Sequence, residues 1–178
     1  GALRMLLGRY ASIPPNAIRF FYSFKGKPSL SDDQPGRFNV SHSGSLALLG
    51  FTRNREIGLD IELIRTISDM EQVADRFFCA EEARELKSLP AAEQRRAFFL
   101  GWTRKEAYIK ATGDGLSTPL DAFRVTLQPG AEARFIHIAG DTSAAESWTL
   151  HHLQVASDYV AALAYRDAPR RVHLFPVV

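Results

Sequence analysis

The 178-residue sequence is poor in cysteine and contains no long apolar run. Cys79 is its only cysteine, which excludes an internal disulfide framework and is typical of a reducing compartment such as the cytoplasm. No stretch approaches the roughly 18 to 20 uninterrupted apolar residues of a membrane-spanning helix. We therefore expect a cytoplasmic protein that does not work in a membrane.

An excess of one charge sign is also missing, because the formal net charge is only +2. No basic run is interleaved with aromatic residues, which argues against a nucleic-acid partner. Residues 1–65 carry nine Lys and Arg against five Asp and Glu, so this part is mildly basic. The excess either attracts a phosphate-bearing ligand or belongs to an ordinary solvated surface.

Helical and strand-like periodicities are both present, which predicts an α+β fold. The first ten residues are typical of the end of a helix that is already under way, so we expect the N-terminal part of the fold to be incomplete. Further helices are predicted over 69–76, with Asp69 as N-cap, over 81–87 and over 91–112. Strands are predicted over 18–24, 38–41, 46–52, 57–64, 123–127, 133–138, 147–155 and 159–166. The strands on either side of the polar turn at 53–56 are predicted to form a hairpin.

Two carboxylates stand out in the strand over 57–64. Asp60 and Glu62 lie on one face, roughly 7 Å apart, because side chains alternate along a strand. Their neighbours are apolar, and a buried pair of carboxylates needs compensation that Mg²⁺ can supply. The alternative is that this face meets solvent.

A second set of candidate residues lies on the predicted long helix. Phe98, Trp102, Glu106 and Lys110 are spaced four residues apart and therefore share one face. Glu106 could provide a third metal ligand beside the phosphate-neutralising ammonium of Lys110. An ordinary surface ion pair between Glu106 and Lys110 explains the same spacing.

The segment from Phe38 to Gly44 contains adjacent Ser41 and His42. Neighbours on a strand point to opposite faces, and no G-x-S-x-G elbow is present, so a Ser-His hydrolase is rejected. His42 beside hydroxyl groups and a glycine turn either contacts an anion or is structural.

Together these segments resemble the 4′-phosphopantetheinyl transferase superfamily, of the surfactin-synthetase-activating type. Its G-[IV]-D-x-E and W-x-x-K-E-[AS]-x-x-K motifs are similar to residues 58–62 and 102–110. Residues 38–43 are similar to its F-N-[LIV]-S-H-[ST] element, residues 26–28 to its G-K-P loop, and residues 115–117 to its G-L-S turn. The five motifs occur in the family's order.

The resemblance implies transfer of the phosphopantetheine arm of coenzyme A to a serine of an apo acyl or peptidyl carrier protein, with release of 3′,5′-ADP. It implies that Asp60, Glu62 and Glu106 hold Mg²⁺ and that Lys110 neutralises the pyrophosphate. Ser41 would donate to a pyrophosphate oxygen, His42 would contact the 3′-phosphate, and Lys27 would lie beside the adenosine. Glu106 is the candidate general base, acting directly or through a water molecule. Glu106 and Lys110 are thus the expected catalytic residues.

The resemblance also implies a monomer with two pseudo-symmetric lobes. We expect an incomplete N-terminal lobe over 1–54 and a C-terminal lobe over 55–178. Phe77 and Phe78 are either residues of an exposed carrier-docking surface, with Arg65 and Arg76 at its rim, or core residues. Two other functions remain open, a non-catalytic coenzyme A or nucleotide-binding module and a metal-dependent phosphohydrolase. The complete set of three carboxylates and Lys110 favours the transferase.

Overall fold

The computed structural model describes residues 1–31 and 34–176, and only the backbone of Leu116. The described residues form five α-helices and nine strands. The helices are α1 (Ala2–Ala11), α2 (Met70–Phe77), α3 (Ala80–Ser88), α4 (Ala91–Thr112) and α5 (Thr142–Glu146). The strands are β1 (Phe20–Tyr22), β2 (Pro28–Leu30), β3 (Arg37–Ser43), β4 (Leu46–Thr52), β5 (Ile57–Leu63), β6 (Phe123–Val125), β7 (Phe135–Ile138), β8 (Thr149–Leu153) and β9 (Tyr159–Tyr165). The predicted α+β fold is confirmed.

The strands pair antiparallel in small sheets. The central sheet has the order β5-β9-β8, while β3 and β4 form a separate two-stranded sheet. The predicted hairpin around residues 53–56 is therefore wrong, because β4 pairs with β3 and β5 pairs with β9. The tight turn lies instead at Gly44, whose φ of 55° is accessible to glycine without a steric penalty.

Helix α4 lies across β5 at an unusually close approach. A Cβ atom on Gly58 would lie 1.9 Å from the carbonyl oxygen of Ala107 and 2.3 Å from the backbone nitrogen of Ala111. Only glycine permits this contact, which sets the last turns of α4 directly against the strand of Asp60. The helix ends where predicted, at Gly113, which has a left-handed φ of 75°.

The two-stranded sheet joins the central sheet through side chains. Strand β5 is an edge strand, and its amides Leu59, Ile61 and Leu63 face β3. They donate to Asn39 Oδ1 (2.9 Å), Ser41 Oγ (3.3 Å) and Ser43 Oγ (3.1 Å), respectively. Every second side chain of β3 thus accepts a hydrogen bond from a β5 amide that a neighbouring strand would otherwise pair with.

Local differences from the prediction are small. Asp69 occupies the N-cap position of α2, but its side chain makes no capping hydrogen bond. Helix α5 and strand β2 were not predicted, since both are very short and carry weak periodic signals. In the part of the chain that the structure describes, no helix has the length and apolarity needed to cross a membrane. The division into lobes at residues 54 and 55, and their pseudo-symmetry, stay predictions.

Candidate active site

The site forms where β3, β5 and α4 meet. Lys110 Nζ lies 2.6 Å from Asp60 Oδ1 and 3.1 Å from Ser41 Oγ, and the Ser41 hydroxyl donates to the same aspartate oxygen over 2.9 Å. The three residues come from three different elements. The structure therefore brings together Ser41, Asp60 and Lys110.

Asp60 is buried, with 4% of its surface exposed, and the solvent-facing alternative is wrong for this residue. Burial raises the pKa of its carboxyl from 3.8 to about 6, against the opposing effects of Lys110 and Ser41. Its second oxygen, Oδ2, is buried without a hydrogen-bond partner among the described residues. A buried carboxylate with an unsatisfied oxygen is suited to a cation.

Glu62 lies two residues further along β5 and is partly exposed. Its Oε2 accepts a 2.8 Å hydrogen bond from Ser43 Oγ and lies 3.4 Å from a guanidinium nitrogen of Arg65. The carboxylate is therefore held on the side of β5 that faces β3.

Glu106 is half-buried on α4, one turn before Lys110. Burial raises the pKa of its carboxyl, and the charges of Asp60 and Glu62 raise it further, while Lys110 lowers it. These mutual effects place the three carboxylates in one electrostatic neighbourhood. The surface-pair alternative is wrong for Lys110, whose ammonium pairs with Asp60 instead.

The residues fit Mg²⁺ by donor chemistry, because three carboxylates and an unsatisfied buried oxygen are what a hard cation needs. Within residues 1–31 and 34–176, however, no three His, Cys, Asp or Glu residues already stand close enough to form a complete metal cage.

Two expected nucleotide contacts lie outside this cluster. His42 is exposed on β3, on the strand face opposite to Ser41 and Ser43. Lys27 Nζ lies 2.7 Å from Glu56 Oε2 and donates to the carbonyl of Ala111 over 3.2 Å. The Lys27 side chain therefore contacts the C-terminal end of α4, at the residue that follows Lys110.

The expected exposed aromatic pair is only partly present. Phe78 is 3% exposed and stacks on Phe98 inside the core, so its prediction as a docking residue is wrong. It is the C-cap of α2, where the chain turns inward. Phe77 is half-buried against Trp102, with the guanidinium of Arg76 over its ring.

Two features of the motifs escaped the sequence analysis. Ser43 contacts Glu62. The sequence could have indicated this contact, because Ser43 lies two residues after Ser41 and therefore on the same face of the strand. Lys105, adjacent to Glu106, is fully buried and lies 2.7 Å from the equally buried carboxylate of Glu82. No local pattern marks this pair, because Lys and Glu at these positions are typical of an exposed helix face.

Comparisons with known proteins identify the family of this chain. The family model for the 4′-phosphopantetheinyl transferase superfamily matches residues 56–164. The chain is 40% identical to the 4′-phosphopantetheinyl transferase HetI of Nostoc sp., over 92% of this chain and 67% of HetI. It is 38% identical to the 4′-phosphopantetheinyl transferase Sfp of Bacillus subtilis, over 70% of this chain and 54% of Sfp. This chain belongs to the 4′-phosphopantetheinyl transferase superfamily.

Among solved structures, it is similar to the holo-[acyl-carrier-protein] synthase of Thermotoga maritima, with a TM-score of 0.48 and 18% identity over 63% of this chain and 62% of that one. The chain thus spans between about half and two thirds of the length of the relatives described.

Proposed function

We propose that this chain carries the catalytic centre of a Mg²⁺-dependent transferase that moves the 4′-phosphopantetheine arm of coenzyme A to a serine of an apo carrier protein. The observation that carries the proposal is the joining of Asp60, Lys110 and Ser41, with Glu62 and Glu106 alongside, in a member of this superfamily. The relatives named above are themselves called 4′-phosphopantetheinyl transferases.

In the proposed reaction, the carrier serine oxygen forms a bond to the β-phosphorus of coenzyme A. The bond from that phosphorus to the bridging oxygen breaks, and 3′,5′-ADP leaves with the electron pair. The ammonium of Lys110 offsets the charge that develops on the leaving group. Mg²⁺, held by Asp60, Glu62 and Glu106, would supply further neutralisation of the pyrophosphate.

Glu106 accepts the proton of the attacking hydroxyl in this scheme, directly or through a water molecule. In the absence of a metal, its pKa is raised by burial and by the neighbouring carboxylates, which is the direction that favours a general base. Lys27 and His42 are proposed to contact the adenosine and the 3′-phosphate, and Ser41 a pyrophosphate oxygen. Ser41 would have to exchange its present bond to Asp60 for that contact.

The acceptor surface is proposed to include the rim arginines Arg65 and Arg76, which are exposed and would steer an acidic carrier. The expected monomeric state and cytoplasmic location stay predictions.

The test is a mass measurement on apo carrier domains. The protein is incubated with coenzyme A, Mg²⁺ and a panel of carriers, beside Glu106→Gln and the matched control Glu93→Gln, which alters an exposed glutamate at the start of the same helix. We expect at least one carrier to gain the phosphopantetheine mass with the wild type and Glu93→Gln. Glu106→Gln should lose roughly 100-fold or more of the rate.

Coenzyme A binding without transfer to any carrier would contradict the proposal and favour a non-catalytic binding module. Release of phosphate from coenzyme A without a carrier product would favour the phosphohydrolase. Equal rates for both variants and the wild type would remove Glu106 from the mechanism.

A further inference from the structure

A repeated hydrogen-bond unit links β3 to the carboxylates of β5. Ser41 Oγ accepts from the amide of Ile61 (3.3 Å) and donates to Asp60 Oδ1 (2.9 Å). Ser43 Oγ accepts from the amide of Leu63 (3.1 Å) and donates to Glu62 Oε2 (2.8 Å). In both units, the serine accepts from the residue after the carboxylate and donates to the carboxylate itself.

The unit has a directional consequence. A hydroxyl group has a single proton, and the bond from the backbone amide fixes the position of the serine oxygen. The O–H group of the serine then points at one carboxylate oxygen. The backbone of β5 thus determines, through the serine, where that carboxylate lies. Asn39 continues the ladder by accepting from Leu59, beside Gly58, which has no side chain to orient.

The orientation matters most for Glu62. Its side chain has 23% exposure and one more rotatable bond than that of Asp60, so it has solvent-facing conformations available. The other neighbour of the same oxygen is the exposed Arg65, at 3.4 Å, a weaker hold than the 2.8 Å bond from Ser43. Ser43 therefore provides the main restraint on this carboxylate.

We infer that Ser43 is a positioning residue for the divalent cation, acting through Glu62 in the way that Ser41 acts on Asp60 before coenzyme A binds. The inference rests on the proposed function, because it takes Glu62 as a metal ligand. Residues that orient a ligand by hydrogen bonding lower metal affinity by roughly 10- to 100-fold when removed. The alternate serines of β3 would thus match the alternate carboxylates of β5 in register.

The test measures Mn²⁺ binding directly, by the loss of the free-ion electron paramagnetic resonance signal, without coenzyme A or carrier. We expect Ser43→Ala to weaken Mn²⁺ binding roughly tenfold or more, and Ser43→Thr to retain most of the affinity because it keeps the hydroxyl. Ser45→Ala is the matched control, since its hydroxyl lies in the same turn but faces Tyr159 rather than a carboxylate.

A second comparison shows whether Ser43 acts through Glu62. In a Glu62→Gln background, Ser43→Ala should cause no further loss of Mn²⁺ affinity, because the group it orients is no longer a charged ligand. A structural defect would instead lower the folded fraction in both backgrounds, which circular dichroism reports. If Ser43→Ala does not fold, Ser43→Cys replaces it, because cysteine keeps the volume and a weak acceptor for the Leu63 amide.

Wild-type affinity in Ser43→Ala, beside weakened binding in Glu62→Gln, would overturn the inference and leave the proposed function intact. Equal losses from Ser43→Ala in both backgrounds would also overturn it. Failure of the wild type to bind Mn²⁺, together with the absence of transfer to any carrier, would refute the proposed function itself.

Discussion

Asp60 is the residue on which most of the site depends. It is buried on β5, its Oδ1 is shared by Ser41 and Lys110, and its Oδ2 has no partner among the described residues. Its pKa of about 6 means that burial outweighs the compensation from Lys110 and Ser41. Burial of the charged Asp60 carboxylate therefore lowers the stability of the fold, and a bound cation would offset this loss.

This cost predicts a pH dependence of stability without metal. The pKa of Asp60 is higher in the folded state than the usual 3.8, so the folded protein holds the proton longer as pH rises. The contribution of the Asp60 carboxyl to the free energy of unfolding is therefore largest below pH 4. It falls by about 3 kcal/mol in all as the pH rises to about 6. In urea unfolding at pH 4, 5, 6 and 7, Asp60→Asn should gain stability relative to the wild type across this interval.

The control is Asp158→Asn, which alters an exposed aspartate on the chain entering β9. It removes one carboxylate of the same residue type at the surface, so it separates a general effect of losing a charge from the effect of burial. Parallel curves for Asp60→Asn and the wild type would show that the Asp60 carboxyl is not strained by burial.

At the scale of elements, the contact between α4 and β5 positions the site. The motif glycine, Gly58, is required by geometry, because α4 backbone atoms occupy the space of a side chain. Within W-x-x-K-E, Glu106 is half-exposed toward the carboxylates while its neighbour Lys105 turns into the core. Adjacent helical residues point about 100° apart, so one motif serves both packing and chemistry.

We predict that Gly58→Ala separates α4 from β5. Because its Cβ would meet backbone atoms at 1.9 and 2.3 Å, which cannot rotate away, the free energy of unfolding should fall by about 3 kcal/mol or more. Mn²⁺ affinity should fall as well, since the proposed ligands Asp60 and Glu106 lie on the two separated elements. Denaturant unfolding and the Mn²⁺ assay measure the two effects.

Gly101→Ala is the comparison on the same helix. Its Cβ would lie 3.1 Å from the Phe78 ring and 3.6 Å from the Cβ of Leu127, both side-chain atoms, and the gain in helix propensity, up to about 1 kcal/mol, offsets the strain. A Gly58→Ala protein as stable as Gly101→Ala would contradict the close approach of α4 to β5.

At the scale of the whole molecule, the buried pair of Lys105 and Glu82 joins distant segments. Lys105 Nζ donates to the carbonyls of Leu120 (2.7 Å) and Phe123 (2.6 Å), while Glu82 accepts from the amides of Cys79 (3.0 Å) and Val125 (2.7 Å). The pair thus connects α4, the start of α3 and strand β6. Its partners satisfy both buried charges, which is the condition for such a pair to be tolerated.

We predict strong coupling between these two residues. Lys105→Met or Glu82→Gln alone should cost about 3 to 5 kcal/mol, because each leaves the other group buried without its partner. The double variant should cost clearly less than the sum. A double-mutant cycle from denaturant unfolding measures the coupling, and additive losses would show that the two charges do not stabilise each other.

The sequence predicted much of the local structure. Helix α4 spans 91–112 and strand β4 spans 46–52, as predicted, because their periodic patterns and end signals lie within each segment. The candidate residues Asp60, Glu62, Glu106 and Lys110 were also found from local spacing. Their common face on each element follows from strand and helix geometry alone.

Strand pairing was not predictable in the same way. The pattern of β4 and β5 identified both as strands but did not choose their partners, and the predicted hairpin was wrong. Phe78 shows the same limit, because its residue type suits a surface aromatic and a core position equally, and only packing against Phe98 decided between them.

The sequence alone therefore determined most of the elements, the faces of the carboxylates and the family. The tertiary structure decided that Lys110 pairs with Asp60, 50 residues away, and that Lys105 is buried against Glu82. The reason is physical. Propensity and periodicity act between residues a few positions apart, whereas burial and pairing depend on groups that only folding brings into contact.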